Sequence, residues 1–287
     1  MQGFGSNPGQ LRFYLHMPRR PAPGAPLVVV LHGCRQDAAG FAADGGWIAL
    51  AERLGIPLVL PEQSFTNHRL RCFSWYRPGD VGRGQGEALS IRQMAGFAMR
   101  HLGFDRRRVF VAGLSAGGAM AAALLAAYPA VFAAGAVVAG LPVGTAGSAP
   151  MAMLRMHRAD PWRTEAGLVA AARGARPEGA RWPRLSVWHG GADRSVDPAH
   201  AELLVAQWLG LHRLDFASGR VAQLRPGVFR RSWGRAAKPA VEQWTLEGMG
   251  HGFPIAAGGR AGPWMLDAGI AAAEHIAAFW GLEPPPG

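Results

Sequence analysis

The sequence predicts an α/β protein with a mainly parallel central sheet and helices on both faces. Three observations support this fold class. Short apolar runs rich in β-branched residues, such as 26–33 (PLVVVLHG), are typical of strands buried on both faces. Segments with helical spacing separate these runs along the chain. No charged residue occurs between Arg108 and Arg155, which a buried strand, helix and strand would explain.

The elements follow in order from these patterns. Residues 11–18 alternate apolar and polar side chains, as an edge strand does, whereas the next three strands are continuous apolar runs. The predicted strands are 11–18, 26–33, 56–62, 108–113, 132–140, 184–190 and 240–248. The predicted helices are 37–54, 86–102, 116–128, 198–211 and 268–280. Their alternation predicts parallel strands joined by helical connections.

Residues 144–184 break this alternation. The stretch has no clear period and two proline-marked breaks, so we expect an excursion over the top of the sheet that could act as a lid or cap. We find no internal repeat and no linker rich in serine, threonine and proline. We therefore expect one catalytic domain over 1–287, without a separate substrate-binding domain.

Composition argues against several functional classes. The chain has 287 residues and a formal charge of +11, and Lys238 is its one lysine. The arginines are scattered and not interleaved with aromatic residues, so we expect no nucleic-acid partner. No HxxxH or CxxC spacing occurs, so we expect no metal. Glycines and prolines divide 109–154 into pieces too short to span a membrane, and the N-terminus lacks the pattern of a signal peptide.

The segment 110–121 (VFVAGLSAGGAM) carries the strongest chemical signal. Ser115 lies in a G-x-S-x-G motif between a predicted strand and a predicted helix, which is the setting of a nucleophile elbow. As a bare pattern the motif is weak, because a small serine at a strand–helix junction would look the same. The strand–turn–helix context favours a nucleophile, and a serine hydroxyl then needs a neighbouring base.

The base and the acid should follow the serine along the chain. His251 lies in a glycine-rich loop after the last predicted strand, and we predict it as the base. Two acids follow strand 184–190: Asp193, on the loop just past the strand, is predicted as the triad acid, and Asp197, before a proline, as a helix N-cap. His32 and His189 also lie at strand ends but in the wrong chain order, so we expect them to be structural.

An oxyanion hole requires two backbone N–H groups. The residue after the nucleophile, Ala116, supplies the first. The second should come from the loop after an earlier strand, where the segment LHGCRQ makes the N–H of Cys34 the candidate donor.

Several motifs in order resemble the esterase family of polyhydroxybutyrate depolymerases, whose relatives include acetylxylan and feruloyl esterases. They are LVVVLHGCRQ, GWIALAERLGIPLVLPEQ, CFSWY, VFVAGLSAGGAM and WHGGADRSVDP. The resemblance implies an α/β-hydrolase fold and hydrolysis of carboxylic esters through Ser115, Asp193 and His251, without a cofactor. The substrate would be a small-molecule or polymeric ester, with no obligate protein partner.

The resemblance also bears on the loop CFSWY. The usual aromatic residue and asparagine of this loop appear here as Phe73 and Ser74. Trp75 and Tyr76 are candidates for an acyl-binding wall, although they could equally be packing residues. The chain's two cysteines, Cys34 and Cys72, are either free thiols or a disulfide beside the oxyanion donor.

Location and activity each keep alternatives. Secreted members of the family suggest an extracellular protein, and the cytoplasm is the alternative. The main hypothesis is a serine esterase that hydrolyses short-chain esters, including polyhydroxybutyrate or its oligomers. The others are an acetylxylan or feruloyl type of esterase, a serine peptidase or amidase of the same fold, and a binding protein that has lost catalysis.

Overall fold

The computed structural model describes residues 3–174, 181–260 and 262–282. The strands are β1 (Arg12–His16), β2 (Leu27–Leu31), β3 (Leu58–Glu62), β4 (Val109–Leu114), β5 (Ala134–Val138), β6 (Arg184–Gly190), β7 (Arg220–Arg225), β8 (Val228–Arg235), β9 (Lys238–Leu246), β10 (Phe253–Ile255) and β11 (Met265–Asp267). The helices are α1 (Ala38–Asp44), α2 (Trp47–Leu54), α3 (Pro78–Val81), α4 (Gly86–Leu102), α5 (Ala116–Ala127), α6 (Ala149–His157), α7 (Glu165–Arg173), α8 (Ala199–His212) and α9 (Ala272–Trp280).

Within these residues the main sheet has nine strands in the order β1-β3-β2-β4-β5-β6-β9-β8-β7. The six strands from β3 to β9 in this order pair in parallel. The edge strand β1 and the hairpin β7–β8 pair antiparallel. Strands β10 and β11 form a small separate pair. The structure confirms the predicted α/β class, and it places the carboxyl ends of β4, β6 and β9 at one edge of the sheet.

Alternating residues of a central strand explain why helices cover both faces. Along β2, Leu27, Val29 and Leu31 belong to one apolar core, which also contains buried residues of α4, α5 and α8. Val28 and Val30 belong to the other core, with buried residues of α1, α2 and α9. Each strand therefore buries apolar area on two sides, which is what its continuous apolar sequence required.

Three predicted boundaries were wrong, each for a local reason. The helix expected over 37–54 is divided into α1 and α2, because Gly46 adopts the left-handed conformation with φ +80° between them. The last helix begins at Ala272 rather than 268. Gly269 has φ +61°, a left-handed conformation that a right-handed helix cannot contain, so the helix starts only after it. The hairpin β7–β8 was not predicted, and β9 starts earlier than expected, at Lys238.

The excursion contains helical structure. Helices α6 and α7 lie within 144–184, and residues 175–180 of that stretch lie outside the described residues. Helix α7 packs on α8, and α6 reaches the carboxyl edge of the sheet. In the described ranges, no helix combines the length and the apolar character that crossing a lipid bilayer would need.

Candidate active site

Ser115 lies on a strained turn between β4 and α5. Its backbone has φ +56° and ψ −116°, a conformation that costs free energy for a residue with a side chain. The flanking glycines permit it. A Cβ on Gly113 would lie 2.2 Å from the carbonyl oxygen of Gly117, and one on Gly117 would lie 2.4 Å from the carbonyl oxygen of Leu31. The motif therefore requires glycine for backbone contact as well as for turn geometry.

His251 lies in the loop between β9 and β10 and contacts both predicted partners. Its Nε2 is 3.0 Å from Ser115 Oγ, and its Nδ1 is 2.7 Å from Asp193 Oδ2. These distances match a hydrogen-bonded chain in which Nδ1–H donates to the carboxylate and Nε2 accepts from the hydroxyl. The structure thus brings together the three side chains that the sequence singled out.

The Asp193 carboxylate is buried, and each of its oxygens is hydrogen-bonded. Oδ1 accepts from the N–H groups of Ser195 at 2.8 Å and Val196 at 2.9 Å. Oδ2 faces His251 and also His189, whose Nε2 is 3.2 Å away. Burial raises the pKa of Asp193, but the bonds from His189 and His251 lower it more, so the pKa lies well below its ordinary value. The carboxylate is therefore held in its charged form beside the imidazole.

The contact from His189 was missed by the sequence reasoning. We expected His32 and His189 to be structural, and His32 is hydrogen-bonded away from the site, to Gly33 O at 2.7 Å and to Gln63 N at 3.1 Å. His189, by contrast, contacts Asp193 directly, and its Nε2 lies 3.2 Å from Asp193 Oδ2 and 3.1 Å from Val196 O. The spacing along the chain carried a signal for this contact: His189 is the last residue but one of β6 and lies four residues before the acid, so a tight turn returns the carboxylate to the ring.

Asp197 lies outside the triad, at the start of α8. Its Oδ1 accepts from Ala199 N–H at 3.0 Å and its Oδ2 from Ala159 N–H at 2.9 Å. The N-cap position itself is Pro198, so the prediction of Asp197 as the N-cap was wrong by one residue. The side chain still binds the first turn of the helix, and it also ties the excursion to it.

Two backbone N–H groups near the nucleophile in the fold have no acceptor in the described part of the chain. They belong to Cys34, in the loop after β2, and to Ala116, the first residue of α5. The Gln36 side chain braces the Cys34 loop, since its Oε1 accepts from Gly33 N–H at 2.8 Å and its Nε2 donates to Pro263 O at 3.2 Å. Both N–H groups are thus free of other acceptors among these residues, and their role in an oxyanion hole stays a prediction.

The structure joins Cys34 and Cys72 in a disulfide. The bond connects the loop after β2 to the loop that carries the predicted aromatic wall. Glu87 supports that second loop from below, because its carboxylate accepts from Ser74 N–H at 2.8 Å and from Gln63 Nε2 at 2.6 Å. Burial raises the pKa of Glu87 to about 7, although the hydrogen bonds from Ser74 and Gln63 oppose the shift.

A cleft of about 430 Å³ opens over Ser115. Trp75 and Tyr76 both line it, in an edge-to-face pair with ring centroids 5.7 Å apart. The remaining lining was not predicted, because apart from Leu114 at the end of β4 it comes from loops and from the excursion. These additional residues are Arg35, Gln36, His68, Leu70, Leu114, Ala149, Ala152, Met153, Met156, Ser195 and Trp264. The cleft is therefore mostly apolar, with a few polar groups close to the serine.

Comparison with known proteins places this site in a family. Residues 11–228 match the family model described as esterase PHB depolymerase. The chain is 38% identical to poly(3-hydroxyalkanoate) depolymerase C of Paucimonas lemoignei, over 98% of this chain and 69% of that protein. The chain belongs to the PHB depolymerase esterase family. The resemblance noted from the motifs is thereby confirmed.

More distant relatives of this PHB depolymerase family protein are also esterases by name. Feruloyl esterase B of Talaromyces funiculosus is 27% identical over 88% of this chain and 72% of its own length. The acetyl xylan esterase structure from Aspergillus awamori superposes with a TM-score of 0.84, covering 99% of this chain and 98% of its own, at 22% identity. The fold is that of the α/β-hydrolase esterases. The relatives are named as esterases and depolymerases, and the protein is a carboxylic ester hydrolase.

Proposed function

We propose that the protein hydrolyses short-chain carboxylic esters, including oligomers of 3-hydroxybutyrate, through a Ser115–His251–Asp193 triad and an acyl-enzyme. The observation that carries the proposal is the position of His251, hydrogen-bonded to Ser115 Oγ at 3.0 Å and to Asp193 Oδ2 at 2.7 Å. A serine needs such a base to attack at neutral pH, and the base needs an acid that fixes its tautomer.

The proposed reaction has two halves. Ser115 Oγ attacks the ester carbonyl carbon while its proton passes to His251 Nε2, and the N–H groups of Cys34 and Ala116 donate to the oxygen that becomes negative. Collapse of this intermediate breaks the ester C–O bond, and the alcohol leaves with the proton from His251. Water then attacks the acyl-enzyme by the same route, which releases the carboxylic acid and restores Ser115.

The proposed substrate class rests on the cleft and on the relatives. Apolar side chains such as Trp75 and Met153 line the cleft and suit a short aliphatic acyl chain. The relative that is 38% identical carries the name poly(3-hydroxyalkanoate) depolymerase C, which favours hydroxyalkanoate esters over other esters. We further propose an extracellular location, supported by the Cys34–Cys72 disulfide, because such bonds persist in oxidising compartments.

Substitution of the proposed nucleophile tests the activity. Ser115→Ala should abolish turnover of p-nitrophenyl butyrate, leaving only the residual rate, about 10³ to 10⁴ over water, that binding and the oxyanion hole provide. Ser195→Ala is the matched control, because Ser195 lines the same cleft and should retain activity. An organophosphate should add once, at Ser115, as read by peptide mass spectrometry.

Three results would contradict the proposal. A folded Ser115→Ala variant with near-parental activity, or organophosphate labelling at a different serine, would point to another nucleophile. Faster turnover of p-nitroanilides than of the matching p-nitrophenyl esters would favour the peptidase alternative.

A further inference from the structure

One wall of the cleft is made of two loops joined to each other. We call it the bridged wall, and it consists of Cys34, Arg35, His68, Leu70 and Cys72, all of which line the cleft. The disulfide joins Cys34 to Cys72, and Arg35 N–H donates to Leu70 O at 2.6 Å. The side chains on this wall are therefore presented by a backbone with few alternative conformations.

His68 presents a hydrogen-bond donor on the bridged wall. Its Nδ1 accepts from Leu70 N–H at 3.2 Å and from Cys72 N–H at 3.4 Å. Because Nδ1 accepts, a neutral ring carries its proton on Nε2. Burial, with Arg77 nearby, lowers the pKa of His68, which favours this neutral ring. Among the described residues, Nε2 has no hydrogen-bond partner, so its N–H is available to a ligand.

Arg35 presents a positive charge on the same wall. It directly follows Cys34, the proposed oxyanion donor, and its backbone has φ +64°. Its guanidinium is exposed, and no carboxylate in the described ranges lies within ion-pair distance of it. Asp37, the nearest acid along the chain, faces Arg71 instead, at 4.0 Å. No aspartate or glutamate of the described residues lines the cleft, so the charge of Arg35 is not neutralised there.

We propose that Arg35 and His68 bind a carboxylate that the substrate carries close to its scissile ester. Guanidinium and imidazole N–H groups together suit a carboxylate, which accepts hydrogen bonds at both oxygens. The preferred substrates are then esters with a free acid group, such as the acid end of a hydroxyacid oligomer, rather than neutral esters. This inference rests on the proposed ester hydrolysis at Ser115 and adds a substrate class to it.

Matched pairs of substrates test the inference. The first pair is 3-acetoxybutyrate and 3-acetoxybutyramide, in which the acid group is on the departing alcohol. The second pair is monoethyl glutarate and ethyl glutaramate, in which it is on the acyl part. Acid release in a pH-stat at low ionic strength gives kcat/KM for each compound. We expect the carboxylate of at least one pair to be preferred over its amide by about tenfold to a hundredfold, as expected for a hydrogen bond to a charged group.

Arg35→Gln should bring that ratio towards one, and Arg35→Glu should reverse it, because the charge on the wall is removed or inverted. Arg69→Gln is the matched control: Arg69 is exposed next to His68 in the other loop of the wall but does not line the cleft, so its ratio should be parental. The pair that responds to Arg35 shows whether the bound carboxylate lies on the alcohol or on the acyl side.

The outcomes separate this inference from the proposed function. If the parent protein fails to hydrolyse p-nitrophenyl butyrate, the proposed ester hydrolysis fails. If it hydrolyses that ester but prefers neither carboxylate, or keeps its preference in a folded Arg35→Gln variant, the carboxylate site is wrong and the hydrolase remains. Should the variants not fold, inhibition of the parent by 3-hydroxybutyrate but not by 3-hydroxybutyramide gives the same decision, and equal inhibition overturns the inference.

Discussion

The cleft has two sides that are held by different kinds of contact. The catalytic side carries the proposed triad, and the other side is formed by α6. On the catalytic side, Asp193 accepts hydrogen bonds at both oxygens. A Cβ added at Gly113 would lie only 2.2 Å from the carbonyl oxygen of Gly117. On the other side, the C-terminal end of α6 is tied down, with Asp197 N–H donating to Met156 O at 2.9 Å. Its cleft-lining residue Met153 is 58% exposed. The positions of the proposed triad thus tolerate little change, whereas the α6 side can change substrate fit without unfolding.

Breaking the catalytic side at Asp193 should give the largest effect. Asp193→Asn should lower kcat by about 10⁴, because an amide donates where the carboxylate accepts and so favours the wrong tautomer of His251. Steady-state turnover of p-nitrophenyl butyrate measures this. Asp197→Asn is the control. It should retain kcat and cost about 1 kcal/mol in the free energy of unfolding, since one of its two accepting oxygens is lost. The reverse pattern would make Asp197 the catalytic acid.

The two sides of the cleft also differ in how far the sequence predicts them. The core strands and Ser115, Asp193 and His251 were predictable because buried strands carry continuous apolar runs and because motif spacing follows the strand order. The contact from His189 and the α6 wall were not predictable, since they depend on loop paths that no periodicity records.

The missed hairpin has a different physical cause. Strand β7 has no buried residue, so its sequence lacks the alternation of apolar and polar residues that indicates a half-buried strand. Its pairing with β8 depends on backbone hydrogen bonds at the edge of the sheet. Such pairing leaves little trace in composition.

Opening the disulfide should weaken the connection between the two loops of the bridged wall. The bond joins residues 38 apart in sequence, and a loop of that length predicts a loss of about 2 to 4 kcal/mol in the free energy of unfolding. Urea unfolding of the Cys34→Ala/Cys72→Ala double variant against the parent measures it. Thiol titration of the denatured, unreduced parent should find no free sulfhydryl, and two free thiols would contradict the bond.

Removing the donor from His189 should have a smaller effect on rate. His189→Phe keeps a ring but removes the contacts of Nε2 with Asp193 Oδ2 and with Val196 O, so kcat should fall about tenfold to a hundredfold. The bond to Asp193 lowers the pKa of that carboxyl. Its loss raises that pKa and makes the carboxylate a stronger acceptor for His251 Nδ1–H, which favours the protonated imidazole, so the acid-side fall of kcat should move to higher pH. His189→Gln, which restores an N–H donor, should recover part of both. A lower melting temperature with an unchanged pH profile would mean that His189 only packs.

Changing the α6 side should give the smallest effect, confined to substrate fit. Met153 lines the cleft and is largely exposed, so Met153→Ala removes apolar contact with the substrate without opening a core cavity. The loss in kcat/KM should be a few-fold for p-nitrophenyl hexanoate, as expected for about one lost methylene contact, and smaller for the acetate. Met151→Ala is the matched control, since Met151 is an exposed methionine of the same helix that does not line the cleft.

Trp75 is a poorer probe of substrate fit than Met153, because it also packs against the buried cluster of Ala119, Leu141 and Val196. Its truncation would therefore lower stability as well. An equal loss on both esters, or a fall in melting temperature for Met153→Ala, would show that α6 supports the catalytic side rather than selecting the acyl chain.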